Sequence, residues 1–253
     1  MFKSILAAQL STVRDHFDSS AELAQTLKKI REIGFEAVQR DVALTIPPEE
    51  QRKIADGEGI VYCAAHIPYE RLREKTDEVI QELSTIGCKY VAAPELPEAY
   101  RRKEGYQQLI KESETFALKF ANARIVYCYR NNFNDLEKYE RRTALEIVFE
   151  GSDPVLLSAE LNVYNIQLGG GDPVAWIRRW KGRIPLLHLM DMGVNGNRQI
   201  PMEVGEGNMN WAAILNAARD AGVIWYIVGQ RETSRDPFDC LAINMRNLCF
   251  MRR

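Results

Sequence analysis

The chain has 253 residues, 46% of them hydrophobic, with a formal net charge of −2. The apolar share suffices for a large core, and the charge balance excludes the basic footprint of a nucleic-acid-binding domain. Five cysteines, none in a CxxC pair or at zinc-ligand spacing, argue against a disulfide framework and fit reduced thiols in a cytoplasmic protein.

The first apolar run, Ile5 to Leu10, predicts a short strand. Arg14 and Asp15 follow too closely for a signal peptide. No run is long enough to span a bilayer, so no membrane partner is expected. Ser20 to Ile33 carries apolar residues at helical spacing and stops at Gly34. Phe35 to Arg40 predicts a strand. Pro47-Pro48 opens a short helix with Glu49 and Glu50 in its first turn. Ile60 to His66 predicts a strand, Tyr69 to Ile86 one long helix closed by Gly87, Tyr90 to Ala93 a strand, and Gly105 to Ala121 a helix.

The second half keeps the rhythm. Arg124 to Tyr129 and Pro154 to Val163 predict strands, with a helix over Glu140 to Glu150 between them. Gly169-Gly170-Gly171 lacks the spacing of a dinucleotide-binding turn and predicts a flexible loop. Asp172-Pro173 starts a helix whose Trp176 and Trp180 share one face and belong to the core. Ile184 to Met190 predicts a strand, followed by a Gly/Asn-rich loop. A helix from Asn210-Trp211 to Ala221-Gly222, a strand over Val223 to Val228 and a closing helix from Asp236-Pro237 complete the chain. Alternating βα units imply a parallel sheet. About eight such units in this length imply a closed, parallel eight-stranded (β/α)8 TIM barrel spanning residues 1–253 as a single domain.

Several fragments lie at strand ends in this order. They are Ala8 to Arg14, Cys63 to Pro68, Ala159 to Tyr164, Gly182 to Asp191, Glu203 to Gly207 and Trp225 to Gln230. Together they resemble the sugar phosphate isomerase/epimerase family of xylose isomerase-like TIM barrels. The resemblance implies a divalent Mn2+, Mg2+ or Zn2+ at the carboxyl-terminal rim, polarising the carbonyl of an open-chain sugar. It also implies a carboxylate that removes the neighbouring proton.

The same resemblance exposes departures. On the sixth strand the family has Glu-Leu-Asp-Val-Tyr with a metal-ligating Asp, where this chain reads Glu160-Leu-Asn162-Val-Tyr. On the eighth the family's Ile-Val-Glu-Gln becomes Ile227-Val-Gly229-Gln230. The end of the fifth reads Tyr129-Arg-Asn-Asn-Phe-Asn134, and a Val-Glu on the second becomes Val38-Gln39. Only His188, on the seventh, matches a ligand position. Losing even an indirect partner of a metal costs roughly 10–100-fold in affinity, so no tightly bound metal or other cofactor is expected.

The candidate catalytic residues are His188, Glu160 and Asp191. Glu160 could equally be a buried carboxylate paired to a cation such as Arg14, and Asp191 could orient His188. Gln9, Gln39, His66, Asn162 and Gln230 are candidates for hydrogen bonds to hydroxyls, while Gly229 leaves space for a ligand or water. His66 could instead be a packed histidine. Arg130 either neutralises a substrate phosphate or carboxylate or is a solvated loop arginine. Glu206 either binds substrate or fixes the turn into the following helix. Glu203 and Glu232 also fall near the rim, and His16 belongs on the surface.

The expected function is binding of a small sugar or polyol, phosphorylated or not, at a rim whose metal site is degenerate. Two alternatives stay open: an active isomerase or epimerase with a relocated acid/base pair, and a non-catalytic interaction subunit. A homodimer is also open. Three histidines are too few for the zinc cluster of related DNA-repair endonucleases.

Overall fold

The short apolar runs do form strands, and these pair in parallel. In the computed structural model, which describes residues 5–41, 44–230 and 235–251, eight strands close into a barrel. They are β1 (Ile5–Gln9), β2 (Ala37–Arg40), β3 (Val61–His66), β4 (Tyr90–Ala92), β5 (Val126–Arg130), β6 (Leu157–Asn162), β7 (Leu186–Leu189) and β8 (Trp225–Val228). Each lies beside its neighbours in sequence, and β8 closes onto β1 with Ile5 opposite Trp225. This is the expected (β/α)8 architecture.

Helices wrap the barrel because their apolar stripes face it. α1 (Ser20–Ile33) begins with a reciprocal cap between Ser19 and Glu22 and ends at Gly34, whose φ of +119° an L side chain would resist. It buries Leu23, Leu27 and Ile30. α2 is Pro48–Glu58. The long helix expected over 69–86 is two, α3 (Tyr69–Glu74) and α4 (Thr76–Thr85). Lys75, at φ −127° and ψ 35°, breaks the helical path between them. α5 is Lys103–Asn122. α6 (Ala144–Gly151) starts later than expected, because a two-stranded turn pairing Lys138–Tyr139 with Arg142–Thr143 precedes it and Thr143 caps it.

Two further differences bear on the rim. A helix, α7 (Val163–Leu168), follows β6 without a loop, capped by the Asn162 side chain. The expected Gly/Asn-rich loop after β7 contains an antiparallel hairpin, Asp191–Asn195 with Arg198–Met202, turning at Gly196 with φ +61°. α8 (Pro173–Arg179), α9 (Trp211–Ala221) and α10 (Pro237–Met251) complete the ring. No described helix is long and apolar enough to cross a membrane.

Strand alternation sorts the residues into layers. Ala7, Ala37, Cys63, Ala64, Ala92, Cys128, Leu186 and Ile227 form a small apolar cluster inside the barrel. The larger core lies between sheet and helices, with Tyr127, Tyr129 and Phe149 among its members. Two residues after an inner position, the chain again points inward. That rule places Gln9, Gln39, His66, Arg130, His188 and Gly229 above the apolar cluster, at the carboxyl-terminal end where TIM barrels carry their chemistry.

Candidate functional site

A buried ionic cluster lies within the barrel mouth. Glu160 is fully buried, and its Oε1 lies 2.8 Å from His66 Nε2, 3.1 Å from Gln39 Nε2 and 3.5 Å from Arg130 Nε. Register explains the last pair, since Arg130 and Glu160 are direct neighbours across β5 and β6. Burial by itself would raise the Glu160 carboxyl, but His66, Arg130 and His188 together pull it down to about 2. The Arg130 guanidinium also donates from Nη1 to the Pro94 carbonyl at 3.2 Å.

Two readings of the sequence are corrected here. The cation beside Glu160 is Arg130 together with His66, whereas Arg14 is exposed with its Nε on the Ser11 carbonyl. Arg130 is only 5% exposed, so it is not a solvated loop arginine. The residue of β5 that enters the barrel is Arg130, and Tyr129 turns outward to meet the Phe149 ring edge-on. Asp41 is a neighbour the sequence did not flag. It follows β2, accepts from the Ser11 amide at 2.6 Å, and burial pushes its carboxyl up against the pull of His66, that hydrogen bond and Arg130. Its position one residue past a barrel strand was the available signal.

A second network is built from amides. The backbone N–H of Asn165 donates to Asn162 Oδ1 at 3.0 Å, which is the cap of α7. The Nδ2 of Asn162 therefore faces His188 Nδ1, at 3.4 Å. An amide nitrogen only donates, so Nδ1 accepts and the proton of a neutral His188 resides on Nε2. That Nε2 lies 2.8 Å from Gln9 Oε1, an acceptor. Asn131 braces the same strand end, its Oδ1 accepting from the Asn162 N–H at 2.7 Å.

The space at Gly229 belongs to Gln9. A Cβ on Gly229 would collide with Gln9 Oε1 and lie 3.0 Å from Gln9 Cβ and Cδ. The volume of a side chain here is thus taken by Gln9, although Gly229 itself still borders a cavity. Gln9 uses that volume to reach His188. Gln9 Nε2 is left buried without a hydrogen-bond partner among the described residues.

Above these networks is a cavity of about 380 Å³. Gln9, Arg130, Asn162, His188 and Gly229 form its inner wall, Asn132, Tyr164 and Asn165 one side, and Gln199 and Pro201 of the rim hairpin another. Of the candidate residues, His188, Gln9, Asn162 and Arg130 meet at this cavity. Gln39, His66 and Glu160 form the ionic cluster beside Arg130. Gln230 uses its backbone N–H to bond Thr12 Oγ1 at 3.0 Å, and its own Oε1 is buried without a partner among the described residues.

The acidic residues after β7 are placed elsewhere. Asp191 Oδ1 accepts from the N–H groups of Met192 at 2.7 Å and Met209 at 3.1 Å. Its Oδ2 accepts from the N–H groups of Gly205 at 2.8 Å and Gly207 at 3.1 Å, and from the Trp211 indole. Asp191 is therefore the hub of the loop leading to α9 and not an orienter of His188. Gly207 fits because a Cβ there would come 2.6 Å from Asp191 Oδ1. Glu206 Oε1 accepts from Asn247 Nδ2 of α10 at 2.9 Å, and Glu203 lies 3.6 Å from Arg235. His16 is exposed beside Phe238, and Trp176 is buried as expected of a core residue. Glu232 lies outside the described residues.

Among the described residues, the donors at the rim do not fit a tightly held divalent cation. Hard cations require carboxylate or several oxygen ligands. Here Asn162 Oδ1 caps a helix, His188 Nε2 carries a proton toward Gln9, and Gly229 has no side chain. Among the described residues no group of three or more His, Cys, Asp or Glu side chains is gathered to hold a metal.

No family model and no curated protein matches the chain. Solved structures do. A sugar phosphate isomerase/epimerase from Parabacteroides distasonis superposes with a TM-score of 0.80 at 19% identity, over 97% of this chain and 93% of the other. An L-ribulose 3-epimerase gives 0.77 at 16% identity over 98% and 94%. A probable 3-DHS dehydratase from Bacillus anthracis gives 0.72 at 15% identity over 97% and 98%. The xylose isomerase-like barrel is thus shared along nearly the whole chain. At these identities the likeness is one of fold, and the fold serves more than one chemistry.

Proposed function

We propose that this protein binds a small polyhydroxylated molecule at the carboxyl-terminal rim of the barrel without a divalent metal. The carrying observation is the wall of the cavity, where side-chain amides and one histidine stand in the positions that a cation site would fill with carboxylates. A volume of about 380 Å³ lies within the span of small-molecule sites, about 300–1,000 Å³. Asn132, Asn162, Asn165 and Gln199 line it with groups that both donate and accept, which suits hydroxyls. The neighbouring barrels named for sugar isomerases and epimerases support a sugar or polyol as the class of ligand.

The family's proton transfer through a metal-held enediolate is not part of this reading. Glu160 is a buried carboxylate within the barrel close to the site, and its Oε1 is engaged by His66, Gln39 and Arg130. An ionised carboxylate held to about 2 is a weak base. Thermal shift of the purified chain against monosaccharides, inositols and their phosphates, each with and without Mn2+, tests the proposal, since a ligand of the folded state raises its stability. Stabilisation by at least one of these probes in the presence of a chelator is the expected result. Stabilisation only when Mn2+ is present would contradict it.

A further inference from the structure

We propose that the rim cavity is a carboxylate receptor, so that the hydroxylated ligand is an acid, with the Gln9 amide and the Arg130 guanidinium holding its carboxylate. This rests on the reading above that the cavity is the ligand site. It adds the charge of the ligand and the residues that select it.

A chain of hydrogen bonds orients Gln9. A helix-capping N–H sets the orientation of Asn162, Asn162 sets the tautomer of His188, and the proton on His188 Nε2 sets the orientation of Gln9. Gln9 therefore cannot exchange its oxygen and nitrogen without losing the His188 bond. Its Nε2, with two N–H groups, is the end left outside that bond. That nitrogen is buried, without a hydrogen-bond partner among the described residues, on a side chain only 1% exposed that lines the cavity. A buried donor left unmet is costly, typically about 1–3 kcal/mol, and an acceptor on a bound ligand removes that cost.

A buried cation, Arg130, lines the same cavity. Its side chain is only 3% exposed. A cation at that depth attracts an anion far more strongly than one in water. Among the described residues, carboxylates near Arg130 include Glu160 and Asp41, and exposed Glu95 lines the same cavity. One guanidinium and one amide donor on the same cavity match the two oxygens of a carboxylate. A phosphate dianion brings more charge than this wall opposes. The substitutions that remove carboxylates from the rim thus turn a cation site into one of opposite preference. Gly229 is part of the device, because only its lack of a side chain admits Gln9.

Calorimetric titration with D-gluconate and D-galacturonate, set against D-glucose, D-galactose, myo-inositol and glucose 6-phosphate, tests the inference. Gln9→Leu, which removes the donor and keeps an apolar stem, and Gln9→Glu, which keeps an acceptor for His188 and adds a negative charge, are titrated beside the native chain. Circular dichroism confirms that each is folded. The expected result is tighter binding of at least one sugar acid than of its neutral partner, weakened by about tenfold or more in Gln9→Leu and lost in Gln9→Glu. Binding of neutral sugars that is equal to or tighter than that of the acids would overturn the carboxylate and leave the broader reading standing. So would glucose 6-phosphate binding more tightly than the acids, or acid binding unchanged in both variants. Failure of every probe to bind the native chain would overturn both.

Discussion

The side chain of Gln9 occupies the volume that any side chain at position 229 would need. The two residues lie at opposite ends of the sequence, yet β1 and β8 are neighbours, and the pair decides what the mouth of the barrel offers a ligand.

If that volume is shared by only one side chain, Gly229→Ala must displace Gln9 and break its bond to His188. A loss of about 1–3 kcal/mol is expected from overpacking, read by urea denaturation. In the double variant Gln9→Ala/Gly229→Ala most of that penalty should vanish. Additive losses would mean that the two sites do not share the space.

Glu160 anchors the ionic cluster, and Glu160→Gln leaves Arg130 and His66 facing a neutral amide in the interior. Removing one partner of a buried ion pair costs about 3–5 kcal/mol, so a large fall in unfolding free energy is expected. A change near zero would show that the cluster is not held by charge.

The same carboxyl sets a direction for acid stability. Glu160 is lowered from an ordinary 4.5 to about 2. A group whose folded value is depressed stabilises the native state above the unfolded value and loses that contribution as pH falls toward the folded value. Stability should therefore decline between about 4.5 and about 2. Chemical denaturation at stepped pH should show a shallower decline in Glu160→Gln than in the native chain, and parallel curves would contradict the assignment.

Asp191→Asn keeps the shape of the side chain but sets an amide nitrogen against N–H donors that now converge on a carboxylate. A destabilisation of about 2–4 kcal/mol is expected. Hydrogen exchange should quicken across residues 204–211 in particular. Unchanged exchange there would remove Asp191 from its role as the loop's hub.

Much of the fold is legible in the sequence because barrel strands are short apolar runs bounded by helices with clear stops, such as Gly34 after Ile33. The rim is less so. Whether Tyr129 or Arg130 enters the barrel depends on strand parity, which a run of Tyr-Cys-Tyr-Arg does not reveal until the register with Glu160 is known. The partners of Asp191 are mostly backbone N–H groups, which every residue has. The hairpin after β7 carried a signal in Gly196-Asn197, a two-residue turn with glycine in its first place. The occupation of Gly229's space by Gln9 could not be read from either residue alone, since a glycine predicts room and only the fold tells what fills it.

The rim presents hydrogen-bond donors where a cation needs anions. Titrating the metal-free chain with Mn2+ to about 1 mM, followed calorimetrically, addresses that directly. No saturable binding is predicted. One Mn2+ per chain at micromolar affinity, lost in His188→Ala and in Asn162→Ala, would contradict it.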